Sequence, residues 1–178
     1  MSFMLLGILN SQAAGGGAGA YDLLETVEGN GTFSSLTFSS IPNGYKHLQI
    51  RYVGIQSSSS STLFVRFNSD SGGNYTLHRL VGTGSSVVSG GFTGFTGINL
   101  GGIASFTTTF NAGIIDILDY SNSNKNTTTR ALNQDSNVHI SLRSSLWNNT
   151  EAVTSITVAN SPSSNFTSAS RWSLYGIK

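Results

Sequence analysis

The sequence contains no cysteine among its 178 residues, and only 10% of the residues are charged. Without cysteine, the chain can form neither a disulfide framework nor a thiolate metal site. A net charge of +1 provides no basic patch, so no nucleic-acid partner is expected, and it produces little repulsion between copies. A near-neutral chain of this kind suits a protein that assembles with other proteins, and the lack of disulfides favours assembly inside a cell.

The polar residues that are present are mainly Ser, Thr and Asn, which favour turns and solvated strand faces over helices. From Tyr21 onwards, short apolar segments alternate with turns of Gly, Asn and Ser, as is typical of a β-sandwich or barrel. About ten strands can be assigned in roughly 158 residues. The sequence therefore predicts an all-β domain over residues 21–178, a two-sheet antiparallel β-sandwich with jelly-roll-like topology.

The individual strands follow from the alternation of apolar and polar residues. Tyr45–Gly54 is the clearest, because its apolar residues share one face. The Ile-rich segment Gly113–Tyr120 is predicted to be a central strand, and Thr127–Leu132 an edge strand. Gly82–Gly102 is predicted to be a long loop with at most one edge strand. The other predicted strands are Asp22–Glu28, Thr32–Ser40, Leu63–Phe67, Asn74–Val81, Ile103–Phe110, Val138–Leu142, Ala152–Ala159 and Ser168–Lys178.

Residues 1–20 have a different character and form an arm. An apolar plug precedes an Ala/Gly-rich linker, Ala13–Ala20. No signal peptide is predicted, because the first basic residue is Lys46, and the plug is far shorter than the roughly 20 apolar residues of a membrane span. Ordering a Gly-rich linker costs entropy, so we expect the plug to be held on another protein or a sister subunit. The predicted anchoring residues are Phe3, Met4, Leu5, Leu6, Ile8 and Leu9.

No catalytic signature is present, and no enzyme activity is expected. The nucleophile motif Gly-x-Ser-x-Gly is absent, and no phosphate-binding loop carries a lysine. His47, His78 and His139 are isolated, with none at the spacing of a metal pair on one element. The sequence therefore predicts no cofactor and no metal.

Three aspartates were candidates for other chemistry. Asp116 and Asp119 are close in sequence, but a strand would point them to opposite faces, which argues against a cooperating carboxylate pair. Asp70 lies in the segment Asn68–Gly73, which is similar to a calcium loop but lacks the further carboxylates and the closing Glu. We interpret that segment as an ordinary turn.

Four aromatic residues are large enough to form a sugar-stacking surface: Trp147, Trp172, Tyr75 and Tyr175. Most aromatic residues of a β-sandwich belong to its core instead. Glycan binding through these rings is therefore an alternative that the sequence leaves open.

Several segments of the sequence resemble those of a known protein family. They are Ala20–Thr26, Leu36–Pro42, Tyr45–Arg51, Phe67-Asn68 and Ser173–Ile177. Together they resemble a group of virion proteins of tailed bacteriophages, common among marine and cyanobacterial phages and described as tail-fibre-like or virion structural proteins. The resemblance extends over most of the chain beyond the arm.

The resemblance implies a β-sandwich appendage module, expected to be a homotrimer, that is attached to the virion by its N-terminus after assembly in the host cytoplasm. The implied partners are tail, neck or capsid proteins and a host surface glycan, without membrane insertion. Two alternatives stay open. The chain could be a capsid decoration protein, since it lacks a long shaft, or a glycan-binding receptor-recognition module that uses Ser57–Ser61 or Gly82–Gly102.

Overall fold

The computed structural model describes residues 19–55, 61–103, 110–135, 139–161 and 164–178. These residues form β-strands connected by turns. The strands are β1 Tyr21–Glu28, β2 Ser35–Phe38, β3 His47–Gly54, β4 Ser61–Phe67, β5 Tyr75–Gly82, β6 Val87–Phe95, β7 Ile98–Ile103, β8 Asn111–Leu118, β9 Thr127–Asp135, β10 His139–Trp147, β11 Ile156–Ser161 and β12 Arg171–Ile177.

The strands are arranged in two antiparallel sheets. The large sheet has eight strands in the order β1-β12-β3-β8-β9-β10-β5-β6, and the small sheet has four in the order β2-β11-β4-β7. β7 packs across β9, β10 and β5 of the large sheet. The predicted all-β, two-sheet antiparallel sandwich is confirmed.

The core lies between the inner faces of the two sheets and contains two aromatic clusters. In one, Trp172 stacks on Tyr52 with ring centroids 4.3 Å apart. In the other, Trp147 packs edge-on against Phe67 at 5.5 Å, and Tyr75 stacks on Trp147 at 6.4 Å. All five side chains are buried. The second cluster joins the two sheets, because Phe67 lies on β4 of the small sheet and Trp147 and Tyr75 lie on β10 and β5 of the large sheet.

The interpretation of Gly82–Gly102 as a long loop is wrong, because the segment contains β6 and β7. Glycines hide the alternation in these two strands, and one glycine in each adopts a positive φ angle, +76° at Gly94 in β6 and +91° at Gly101 in β7. Gly101 lies where β7 slips in register against β4. Glycine in a strand often marks such a bulge. The high glycine content that indicated a loop is therefore a feature of two irregular strands.

Two further strand assignments need correction. β9 is not an edge strand, since it pairs with β8 and β10 and extends to Asp135. Its threonines made it look like a solvated edge, yet Thr127 and Thr129 are buried. β11 begins at Ile156, after Val153 has donated its N–H to the carbonyl of Tyr120. Of the predicted strand 103–110, residues 104–109 lie outside the described residues.

We expect the domain to lose stability between pH 10 and pH 12 because of Tyr75. Its buried hydroxyl accepts the N–H of Phe67 at 3.0 Å, and burial raises the pKa of Tyr75 to about 12. Above pH 10 the unfolded chain releases this proton while the folded chain keeps it, so up to about 2–3 kcal/mol of stability is lost over that window. Urea unfolding from pH 8 to 12 should show a shallower decline for Tyr75→Phe than for the unsubstituted chain. Parallel declines would show that Tyr75 does not contribute.

Candidate functional site

The outer face of the large sheet, which points away from the small sheet, carries an unbroken row of apolar side chains. Ile114, Leu132, Leu142 and Leu80 are successive cross-strand partners on β8, β9, β10 and β5. Each is exposed, Leu132 by 46% and Leu142 by 54%. Cross-strand neighbours on one face lie about 5 Å apart, so the row is continuous across four strands.

A second row runs beside the first and is apolar except for Gln134, the β9 partner of Ile140. Val53 pairs with Ala112 on β8, and exposed Ile140 lies opposite Gly82 at the far side. Ile114 and Leu132 of the first row, together with the second row, form the floor of an open groove of about 950 Å³. We call the exposed members of both rows the outer apolar face: Val53, Leu80, Ile114, Leu132, Ile140 and Leu142.

The outer face of the small sheet is different. It presents Ser35 and Thr37 on β2, and the hydroxyl of Thr37 hydrogen-bonds to that of Thr157 on β11 at 2.9 Å. Contiguous apolar patches are uncommon on soluble monomers, and they mark interaction sites. The asymmetry between the two outer faces therefore identifies the large sheet as the candidate functional surface.

Arg51 lies at the border of the outer apolar face in a fixed orientation. Its guanidinium carbon lies 4.8 Å from the ring centre of Tyr21 and 4.5 Å from that of Tyr175. Its Nε donates to Oε1 of Gln49 at 2.6 Å, and Nε2 of Gln49 donates to Oδ1 of Asp116 at 2.7 Å. Two cation–π contacts and a hydrogen-bonded chain thus limit its freedom before any partner binds.

The charges around the outer apolar face nearly cancel. Arg130 lies opposite Asp116 across β8 and β9, and Arg171 lies opposite Glu28 across β1 and β12. Arg51, which is exposed, adds one positive charge to these two opposite-charge pairs. The surface is therefore suited to a partner that is itself apolar, and it provides little long-range electrostatic steering.

The register of β10 explains how the sequence concealed this surface. The alternation of Ile140 and Leu142 resembles a core-facing pattern, but both side chains point to solvent, and Ser141 and Arg143 are buried instead. The signal that would have revealed the site is that the apolar residues of β10, Ile140 and Leu142, occupy the outward-facing positions of the strand. Which alternate positions face outward can be seen only once the inner face of the sheet is known.

A hydrogen-bonded network accounts for the polar inner face of β10. Oγ of Ser141 donates to Oδ1 of Asn133 at 3.0 Å, and Nδ2 of Asn133 donates to the carbonyl of Leu100 at 2.7 Å. Nε of Arg143 donates to Ser141 at 3.1 Å, and its Nη1 donates to the carbonyl of Asn99 at 3.2 Å. These contacts join β9 and β10 of the large sheet to β7 of the small sheet.

The three histidines lie on separate strands, His47 on β3, His78 on β5 and His139 on β10. Nδ1 of His47 accepts the N–H of Asp119 at 2.9 Å. Within the described ranges, no three His, Asp or Glu side chains are close enough to hold a metal ion. Nor does that part of the chain contain a helix that could span a membrane.

Asp116 and Asp119 have different hydrogen-bonding partners, and the predicted placement on opposite faces of one strand is wrong. β8 ends at Leu118, so Asp119 lies in the following turn with a φ of +48° rather than on the opposite face of a strand. Its carboxylate pairs with Lys125, whose hydrogen bond holds the pKa of Asp119 below the ordinary value. Asp116 instead accepts from Gln49, so the two carboxylates serve different contacts.

Asp70 supports the turn before β5. Its Oδ1 accepts the N–H of Gly72 at 2.8 Å, and its Oδ2 accepts Nδ2 of Asn74 at 3.0 Å and Nε1 of Trp147 at 2.7 Å. The indole hydrogen bond is the main cause that lowers the pKa of Asp70. Asp70 therefore has a structural role in the turn, and Trp147 is tied to it.

A sugar-stacking surface formed by the four large aromatic residues is contradicted. Trp147, Trp172 and Tyr75 are fully buried, because strand alternation places them on the inner face. Tyr175 is partly exposed on the outer face, where its ring contacts Arg51. Three of the four rings thus cannot contact a glycan.

The predicted anchoring residues Phe3, Met4, Leu5, Leu6, Ile8 and Leu9 lie outside the described residues. So do residues 57–60 of the serine-rich segment. The described chain begins at the edge of the large sheet, where the N–H of Lys178 donates to the carbonyl of Ala20 at 3.2 Å. Ala20 therefore lies beside Lys178, at the end of β12.

No protein family matches the chain, and no curated protein matches it. Among solved structures, a variant of the alginate lyase Aly36B in complex with alginate trisaccharide is 14% identical, with 86% of this chain and 80% of that chain covered and a TM-score of 0.29. The structure of alginate lyase Aly36B itself is 12% identical, with 81% and 80% covered and a TM-score of 0.27. A likeness at this level carries no argument about function.

Proposed function

We propose that the chain is a non-enzymatic structural module of a tailed-phage virion, a tail-fibre-like appendage module that the N-terminal arm attaches to the particle. The outer apolar face is the observation that carries the proposal. In a chain of near-neutral charge, this exposed surface favours stable contact with another protein, and the family resemblance favours a protein of the virion.

The partner is a virion protein with an apolar, uncharged or weakly acidic surface. Burying the exposed parts of the six side chains of the outer apolar face would contribute roughly 10 kcal/mol before the cost of association. Arg51, already held between two tyrosine rings, would add a directed contact at the border with little further loss of freedom. Copies repeated around a particle would strengthen the attachment by avidity.

The use of the polar groups also supports a structural role. Asp70 is bonded to Trp147, Asp119 to Lys125, and Asp116 to Gln49. Each carboxylate is therefore engaged in a contact that stabilises the fold. This arrangement favours a rigid module over a site with a poised acid and base.

The first experiment is to locate the protein on intact virions by gold labelling of a tag placed after Lys178. Label on the tail or its collar supports the appendage proposal. Label over the head, at the stoichiometry of the capsid lattice, would replace it with a decoration role. Absence of the protein from purified virions would overturn both.

We predict that the double variant Leu132→Lys/Leu142→Lys folds normally but enters particles at least ten-fold less efficiently. Both side chains are exposed in the free domain, so lysine costs little stability there, whereas two ammonium groups buried in an apolar contact would be strongly unfavourable. Incorporation is measured by quantitative mass spectrometry of purified virions, and folding by thermal unfolding of the isolated chain.

The matched control is Ser35→Lys/Thr37→Lys, which adds the same charge to the exposed outer face of the small sheet and should enter normally. Equal incorporation of both double variants would exclude the outer apolar face as the contact. Deletion of residues 1–20, measured in the same way, tests the arm separately and should give a folded domain that is absent from particles.

A further inference from the structure

β6 is an edge strand of the large sheet. It contains nine residues, VVSGGFTGF, with no charged residue and no proline. Among the described strands it pairs only with β5, so its other side presents free backbone N–H and C=O groups. Such an edge is a template for pairing with a further strand.

The other edges carry the features that normally prevent such pairing. β1, at the opposite edge of the large sheet, carries Asp22, Glu25 and Glu28 and has a bulge after Leu23. In the small sheet, β2 has only four residues, and β7 is bulged against β4. Charges, bulges and short length are the usual protections of edge strands. β6 is bulged only at its C-terminal end, between Phe92 and Phe95, so its regular part, residues 87–92, lacks them.

The inner side of β6 extends beyond the cover of the small sheet. Val88 and Phe92, opposite Val81 and Leu77 of β5, are 44% and 40% exposed. The guanidinium of Arg79 lies 5.1 Å from the ring centre of Phe92, which supports the ring in its position. A further strand added at this edge, with its own inner-face side chains, would cover these two apolar side chains.

β6 is complementary to itself in antiparallel pairing. A two-fold axis at Gly90 would place Val88 of each copy opposite Phe92 of the other, an aromatic and β-branched pair of the kind that stabilises sheets. Gly90 leaves the axis free of side chains. The Cα atoms of the two copies of Arg79 would be three strand spacings, about 14 Å, apart, and each guanidinium lies over the Phe92 ring of its own copy.

We propose that two copies of this chain pair through β6, in antiparallel orientation, to form one continuous sheet across both subunits. The contact is isologous and therefore closes after two copies. It gives a dimer, where the family resemblance implies a trimer, and it places the outer apolar faces of both copies on the same side of the continuous sheet. The net charge of +1 produces little repulsion between them.

The test is the mass of the purified full chain in solution, measured by sedimentation equilibrium. We expect the unsubstituted chain, of 18.7 kDa, to form dimers, and Val88→Lys to raise the dissociation constant at least ten-fold, because the lysine would lie against Phe92 of the other copy. Leu23→Lys is the matched control, since it adds the same charge at an exposed position on the opposite edge strand, and it should dimerise normally. Equal dissociation constants for the two variants would overturn the proposal.

A second measurement keeps the test decisive if Val88→Lys fails to fold. Because the chain has no cysteine, the exposed single substitution Ser89→Cys provides one thiol, beside the proposed axis. A short bis-maleimide should link Ser89→Cys into dimers and leave Ser35→Cys, on the small sheet, monomeric. Absence of linked Ser89→Cys dimers, or a trimeric mass without linkage, would overturn β6 pairing and leave the virion proposal to its own experiments.

Discussion

Replacing Trp147 with alanine is expected to lower the free energy of unfolding by about 4 kcal/mol. The side chain is fully buried and contacts Phe67 and Tyr75, so truncation leaves a large cavity between the sheets. It also removes the donor that ties the Asp70 turn to the core. The loss combines a packing term with a charge-assisted hydrogen bond.

Urea unfolding at neutral pH checks this value, and two variants separate its causes. Trp147→Phe keeps most of the ring but loses the Nε1 donor, and should cost about 1.5–3 kcal/mol. Leu142→Ala, on the same strand but exposed, should cost less than about 1 kcal/mol. If Trp147→Ala were no more destabilising than Leu142→Ala, the assignment of Trp147 to the core would be wrong.

Replacing Asn133 with leucine is expected to cost about 3 kcal/mol, although the two side chains are similar in size. Asn133 is buried and hydrogen-bonds both to Ser141 on β10 and to the carbonyl of Leu100 on β7. Leucine leaves the Leu100 carbonyl and the Ser141 hydroxyl without this partner in a dry interior. Buried polar groups that lose their partners cost more than the net value of the hydrogen bonds.

Ser141→Ala is the comparison for Asn133→Leu in the same urea experiment. It removes the Ser141 hydroxyl that bonds to Asn133 and Arg143 but leaves the inter-sheet bond to Leu100, so about 1 kcal/mol is expected. A stability equal to that of the unsubstituted chain for Asn133→Leu would show that this network does not hold the two sheets together.

The two variants address different parts of the sandwich. Trp147 belongs to an apolar cluster that the composition of the chain suggests, whereas Asn133 belongs to a polar connection that the alternation of residues conceals. Together they would show whether the contact between the sheets depends on aromatic packing alone or also on hydrogen bonds across the core.

Much of the fold could be predicted because a strand repeats every two residues. Leu48, Ile50 and Tyr52 of β3 alternate and are all buried, and β8 is central as predicted. Prediction failed where glycine interrupted the pattern, as in β6 and β7, and where threonine faces the core, as in β9. Periodicity reports which residues share a face, but it does not report which face is buried.

The candidate surface illustrates that limit. On β10 the apolar side chains of Ile140 and Leu142 point outward, and the polar side chains of Ser141 and Arg143 point into the core. The inversion depends on Asn133 and Asn99, which lie on other strands and supply the hydrogen bonds. The exposed apolar row follows from that tertiary arrangement and from the register of β8, β9, β10 and β5.

The sequence by itself determined the all-β class, the absence of disulfides, the near-neutral charge and the distinct arm, because composition and local alternation suffice for these. Only the tertiary structure decided the order of the strands, the burial of Trp147 and Trp172, and the positions of the outer apolar face and the open β6 edge. Strand pairing joins residues far apart in the chain, and the second sheet covers one face of the first. The exposed surface is therefore a property of the assembled sheets, which no single segment encodes.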